Sequence, residues 1–244
     1  MGAPRHRGGA TRERSAPSKA AQSDPASAQA LAEDRDRALA LTPVSRETSA
    51  RLDRFVEVLL EWQQHTNLIA LSTEQTIWTR HIADSLQLLL LAPKSQPGSQ
   101  IWADLGSGAG FPGLVIACAL AEQKGVELHL VESIGKKANF LREAVRAVGV
   151  PAEVHAVRIA DFVKRAPKHI DVVTARALAP LPKLLTEAYP LLKKGARGLF
   201  PKGQDVATEL TEAAKYWNIE ATLAESRTDP RSWIVVVESA EPRI

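Results

Sequence analysis

Four glycines fall within eight residues of this chain, in the run Asp104-Leu105-Gly106-Ser107-Gly108-Ala109-Gly110-Phe111-Pro112-Gly113. The apolar stretch before it, Ile101 to Leu105, reads as a short buried strand. Pro112 to Lys124 reads as a helix, with Pro112 in the first turn, where its missing N–H costs nothing. A glycine loop between strand and helix lets the backbone turn sharply and approach a ligand without a Cβ in the way. In open parallel sheets that loop stands at the carboxyl ends of the strands, where ligands bind. Few folds accommodate such a junction.

The flanking pattern agrees. Glu127 to Glu132, Ala152 to Val157, Ile170 to Ala175 and Ala196 to Phe200 read as strands. Lys136 to Val148, Leu181 to Leu192 and Asp205 to Trp217 read as helices between or after them. Such alternation predicts an α/β, Rossmann-like doubly wound sheet. Ile219 to Leu223 and Trp233 to Val237 end the chain as two strands with only about nine residues between them, too few for a parallel crossover, so the last pair is expected to be antiparallel.

An N-terminal helical segment is expected over 45–95. Ser45 is its N-cap, and Leu52, Phe55, Val56, Leu59 and Leu60 recur at helical spacing. A second helix is expected from Thr79 to Leu91. Residues 1–44 carry seven bases against five acids and no aromatic residue, which predicts a disordered basic extension. The expected organisation is thus 1–44 extension, 45–95 helical segment and 96–244 main domain. The extension accounts for +2 of the net charge of +3, so the remaining 200 residues are nearly neutral and global basicity says little about nucleic acid. The one cysteine, Cys118, excludes a disulfide framework or thiolate zinc cluster and suits a reducing, cytoplasmic setting. No set of metal ligands and no membrane span is expected.

Two ligands compete for the glycine loop. Gly108 to Gly113 satisfies G-x-G-x-x-G, and Glu132 follows Gly113 by 19 residues, as in dinucleotide sites. The overlapping pattern D-x-G-x-G-x-G from Asp104 favours S-adenosylmethionine. A dinucleotide brings a pyrophosphate to the helix N-terminus, where the Asp104 carboxylate would repel it. S-adenosylmethionine has no phosphate and carries a sulfonium and an amino group, which suit that acid. Glu132, ending the second strand, can accept from both ribose hydroxyls.

With Asn67-Leu68, Arg80-His81-Ile82 followed by Asp84-Ser85, the Leu130 to Leu141 segment, Thr174 to Ala177 and Pro201-Lys202-Gly203, the loop closely resembles the bacterial ribosomal RNA small subunit methyltransferase G family, over about residues 50–240. The resemblance implies a class I S-adenosylmethionine-dependent methyltransferase fold and methylation of N7 of a guanine in 16S rRNA of the small subunit. By position it implies cofactor contacts from Gly106, Phe111, Glu132, Ile159, Ala160 and Arg176, and Asp104 and Gly108 of the glycine loop are expected in the same cofactor-binding set. The long N-terminal extension and the Asp229-Pro230-Arg231-Ser232-Trp233 approach to the last strand depart from the family pattern.

Guanine N7 has a free lone pair and needs no base to remove a proton, so positioning and electrostatics can carry the reaction. Cys118 sits mid-helix among apolar residues, as a core residue rather than a nucleophile. Arg176 is the first catalytic candidate, guiding guanine through O6 or phosphate. His81 and Asp84 follow, Asp84 by pairing with Arg80 or Arg176. Arg80, Lys136, Lys137 and Lys202 are candidate RNA contacts. The expected partner is 16S rRNA in the small subunit or an assembly intermediate, bound by a monomer. A nicotinamide oxidoreductase would instead need phosphate contacts and a cleft Tyr or His, and neither Tyr189 nor Tyr216 sits at a strand end. A non-catalytic RNA-binding module on the same fold would bind no donor.

Overall fold

The computed structural model describes residues 25–93 and 100–243. The expectations for residues 1–24 and for the junction at 94–99 lie outside them. Strands β1 (Gln100–Leu105), β2 (Val126–Val131), β3 (Ala152–His155), β4 (Val172–Thr174), β5 (Arg197–Lys202), β6 (Trp217–Glu225) and β7 (Trp233–Pro242) form one sheet in the order β3-β2-β1-β4-β5-β7-β6. The first five are parallel. β7 runs antiparallel to β6, as the short connection between them requires, and antiparallel to β5 as well. The chain leaves β1 toward β2 and β3, then returns to the other side of β1 with β4. This reversal opens a crevice at the strand ends beside β1.

Helices cover both faces. α2 (Arg46–Gln63), α4 (Gly113–Leu120) and α5 (Gly135–Val148) pack one side around Phe55, Trp102 and Phe140. α6 (Ile159–Arg165), α7 (Leu181–Leu192) and α8 (Val206–Ala213) pack the other around Leu185, Phe200 and Trp217. Ser45 caps α2, its Oγ accepting from Thr48 N at 3.1 Å. Phe55 of α2 meets Phe111 of the glycine loop with ring centroids 5.4 Å apart, so this helix supports the loop directly. Cys118 is fully buried in α4, and burial pushes its thiol up to about 12, which leaves it inert.

The stretch expected as one helix from Thr79 to Leu91 is instead a π-helical turn (Trp78–Ala83), a short α3 (Asp84–Leu86) and a 3₁₀ turn (Gln87–Leu90). In an α-helix Asp84 N would bond to Arg80 O. Here Asp84 N turns to His81 O, and Arg80 O accepts from the Arg176 guanidinium at 2.9 Å.

The expectation of disorder through residue 44 is corrected from Pro25 on. α1 (Pro25–Leu41) is a helix docked on the π-turn. Asp34, 1% exposed, accepts from Trp78 N at 2.9 Å, Thr79 N at 3.0 Å and Thr79 Oγ1 at 2.6 Å. Arg35 makes two bonds to Asp53, at 2.6 and 2.8 Å, and lies over the Trp78 ring. A weakly apolar helix is held here because it satisfies buried donors of another element.

Candidate active site

A cavity of about 980 Å³ opens at the β1 crevice. Its floor is the glycine loop. Gly106 N and Ser107 N both donate to Val131 O at 2.9 Å, tying the loop to the end of β2. Gly106 is left-handed, with φ +72°, and a Cβ there would lie 2.7 Å from Leu178 Cδ1. Gly113 has the opposite need. A Cβ on it would sit 2.6 Å from Asp104 Cβ and 2.5 Å from Leu130 Cδ2, so only glycine lets α4 start this close to β1 and β2.

Glu132 is 6% exposed and lines the cavity. Its two carboxylate oxygens accept from Gly108 N at 3.0 Å and Ile134 N at 2.7 Å. An ionised carboxylate has about four acceptor positions, so both oxygens retain capacity for a diol. Ile159 and Ala160, starting α6, line the same cavity with Ile134 and Val163 as an apolar wall.

Asp104 departs from the expected cofactor set. It is 1% exposed and lies beneath the loop rather than on the cavity wall. Its oxygens accept from Gly113 N at 3.1 Å and Thr174 Oγ1 at 2.8 Å, which joins β1, β4 and α4. Burial pushes its carboxyl up to about 6, opposed by the Thr174 hydrogen bond. The acid at the strand end therefore fixes the loop and does not face a ligand's amino group.

Arg176, just past β4, gathers the N-terminal residues. Its Nη1 donates to Arg80 O at 2.9 Å and to Asp84 Oδ2 at 3.0 Å, and its Nη2 donates to His81 Nδ1. Arginine has only donors, so His81 Nδ1 accepts and the ring proton sits on Nε2, which donates to Thr73 Oγ1 at 3.1 Å. The imidazole stacks on Phe111 with centroids 4.8 Å apart. Burial, then the charges of Arg176 and Arg80, push His81 down to about 3, so it is neutral near pH 7. Asp84 pairs with Arg176 and not with Arg80. Its other oxygen accepts from Gln87 Nε2 at 2.9 Å and Thr228 Oγ1 at 3.0 Å, fastening the helical segment to the β6–β7 loop.

The structure thus brings Gly106, Gly108, Phe111, Glu132, Ile159, Ala160, His81, Lys137 and Arg176 to one cavity, with Asp84 behind Arg176. Arg80 is half-exposed and pairs with Asp229 at 3.0 Å. Lys136 is exposed on the first turn of α5, outside the cavity lining. Lys202 contradicts its expected place at an RNA surface. Its side chain is 9% exposed, and its ammonium donates to Ala179 O at 2.8 Å and Glu209 Oε2 at 2.7 Å, where it secures the entry to α7. A strand-end lysine looks the same in sequence whether solvent or a partner acid 7 residues later receives it. Sequence reading also missed Arg158 and Lys164, which line the cavity, and Gln63, whose carboxamide holds Leu68 N, Ile69 N and Ile69 O.

The loop amides discriminate between the two candidate ligands. Gly106, Ser107, Gly108, Gly110 and Gly113 N–H groups all bond within the protein, to Val131 O, Glu132, Ser107 O and Asp104. A pyrophosphate at this loop would find these five donors already used. A cavity with a carboxylate for a diol and an apolar wall for a flat ring fits S-adenosylmethionine.

Known proteins agree with this geometry. Residues 48–229 match the family model described as rRNA small subunit methyltransferase G. The Ribosomal RNA small subunit methyltransferase G of Bradyrhizobium sp. (strain ORS 278) is 59% identical over 213 residues, covering 87% of this chain and 94% of that protein. That of Nitrobacter hamburgensis (strain DSM 10229 / NCIMB 13809 / X14) is 59% identical over 212 residues, covering 87% and 80%. Among solved structures, a mutant of MtNAS superposes with a TM-score of 0.51 at 14% identity, covering 88% of this chain and 78% of that one, which is a likeness of fold alone. The sheet order with antiparallel β7 is that of the class I S-adenosylmethionine-dependent methyltransferases.

Proposed function

The chain belongs to the rRNA small subunit methyltransferase G family, and from that premise we propose that it methylates N7 of a guanine in 16S rRNA, with S-adenosylmethionine as donor. The donor, when bound, supplies an electrophilic methyl group on a sulfonium. Glu132 would accept from the ribose hydroxyls, and Ile159, Ala160 and Ile134 would form the apolar wall for the adenine. Phe111, held between His81 and Phe55, would close the cavity beside the reacting end.

The observation that carries the N7 reading is the state of His81. Its one basic nitrogen is occupied by the Arg176 guanidinium, so it removes no proton from an incoming base. A ring nitrogen with a free lone pair needs none. Arg176 spends two Nη1 donors and one Nη2 donor on Arg80, Asp84 and His81. This leaves Nε–H and one Nη2–H, from five donors in all, for guanine O6 or a phosphate. Arg176 is the catalytic residue of this reading, and His81 and Asp84 are positioning residues. Lys137, Arg158 and Lys164 around the cavity, with Arg80 and Lys136 nearby, supply local positive charge for the RNA backbone.

The same reading makes the enzyme a cytoplasmic monomer acting on the small subunit or an assembly intermediate. Among the described residues no helix is long and apolar enough to cross a membrane. The test is transfer of labelled methyl to small subunits from a strain lacking the modification, followed by mapping of the labelled base. Label at N7 of a 16S guanine is expected. Label on a pyrimidine, an exocyclic amine or protein overturns the assignment. Calorimetry with S-adenosylmethionine and with NAD tests the donor; heat with NAD alone would refute it.

A further inference from the structure

A second cluster of titratable groups lies against another face of α6, outside the machinery described above. In the parallel β2–β3 ladder His129 stands beside Glu153, and His155 follows two residues later on the same face. His129 Nδ1 and His155 Nε2 are 3.0 Å apart. Glu153 oxygens lie 3.9 Å from His129 Nδ1 and 3.6 Å from His155 Nδ1. One ligand atom from each residue falls within 4.8 Å of the others. They line a cavity of about 410 Å³, with Phe162 tilted against both rings at 5.9 and 4.9 Å between centroids.

The protonation of this pair does not close without a further partner. His129 is 6% exposed, and its Nε2 is buried with no hydrogen-bond partner. If Nδ1–H donates to His155, Nε2 is a buried acceptor with no donor. If the proton is on Nε2, it is a buried donor whose nearest carboxylate, Glu127, stands 3.9 Å away. Either state leaves a desolvated polar atom unmet.

We propose that His129, Glu153 and His155 form a binding site for a divalent transition cation of the zinc class. Two imidazoles and one carboxylate, with a fourth position open to water, are a donor set that suits this class. A cation on His129 Nδ1 obliges the ring proton to sit on Nε2. The exposed Glu127 carboxylate can then close on it, as carboxylates commonly do behind metal-bound histidines. Tetrahedral geometry at metal–nitrogen bonds of about 2.0–2.1 Å asks His129 Nδ1 and His155 Nε2 to part by only about 0.3–0.4 Å, and asks the exposed Glu153 carboxylate, 3.9 Å from His129 Nδ1, to swing in from the Nδ1 side of His155. The cation would cross-link β2 to edge strand β3 beneath α6. Val157 lines both this cavity and the larger one, so the link would brace a wall of the donor site.

The test uses the full, tag-free chain stripped with chelator. Titration with zinc chloride is expected to show one saturable site, and zinc to raise the thermal midpoint. Cobalt(II) is expected to give visible absorption bands of a nitrogen- and oxygen-ligated ion. Glu153→Gln, at a side chain 68% exposed, is expected to fold normally and to weaken zinc binding more than about tenfold. His155→Ala is expected to abolish the cobalt bands, and Glu127→Gln to weaken binding by about 10–100-fold. Absence of saturable binding by the wild-type chain overturns the proposal. So does binding that Glu153→Gln and His155→Ala both leave unchanged, since the cation would then sit elsewhere.

Discussion

His81 and Asp104 are both displaced from their ordinary titration ranges by burial, and in opposite senses. His81 falls from 6.5 to about 3, so between these values the unfolded chain binds a proton that the folded chain refuses. Its stabilising contribution is complete above pH 6.5 and is lost as pH falls toward 3. Asp104 rises from 3.8 to about 6, so the folded chain binds the extra proton in that window, and its contribution is lost as pH rises through it. The two slopes oppose one another between pH 3.8 and 6. Thermal midpoints of Asp104→Asn should therefore fall more steeply with acid across that window than those of the wild type. Those of His81→Gln should hold or rise. Parallel curves for all three proteins would refute the assignment. Arg176→Ala is expected to lose about 1.5–3 kcal/mol from its charged hydrogen bonds, measured by denaturant unfolding, while methyl transfer falls by about 100-fold or more. Neither the Arg176–His81 bond nor the depth of Asp104 was legible in sequence. The first joins residues 95 positions apart, and the second depends on which way a strand-end side chain points.

The glycine loop was the most legible element, because its demands are local. A positive φ and a close helix–strand approach can be met only by a missing Cβ. Gly113→Ala should force α4 away from β1 and destabilise the protein by about 1–3 kcal/mol, with weaker donor binding in calorimetry. Glu132→Gln places an amide donor against Gly108 N or Ile134 N. Donor affinity should fall more than tenfold, about 1.4 kcal/mol. Helix α7 was found over its whole length, since it shows a full apolar face. α6 was missed: its seven residues are too few to display a helical period. The π-turn was read as ordinary helix because apolar spacing does not report that Arg176 claims the Arg80 carbonyl.

At the scale of the molecule, the N-terminal region changes most between sequence and structure. Composition predicted a disordered extension through residue 44, whose removal would leave the chemistry intact. The docked α1 makes that unsafe beyond residue 24. Deleting 1–44 should lower the thermal midpoint below that of a chain lacking 1–24 and weaken methyl transfer, because Trp78 N and Thr79 N lose Asp34 and the π-turn carries His81 and the carbonyl that holds Arg176. Asp34→Ala should reproduce much of that loss, about 1–3 kcal/mol for the buried donors left unmet. Equal midpoints for both truncations would show that α1 contributes nothing.

By itself the sequence determined the alternating α/β order, the antiparallel final pair, the glycine loop with its spaced Glu132, and the family. The first three follow from period, connection length or backbone freedom, which act over short stretches, and the family follows from the resemblance of motifs that stand in order along the chain. The tertiary structure alone decided what the charged side chains do. It buried Asp104 under the loop, enclosed Lys202 with Glu209, set Arg176 against His81 and Asp84, and brought His129, Glu153 and His155 together. A charge takes its role from the desolvation and partners around it, and those partners are brought close by folding, not by neighbourhood in the chain.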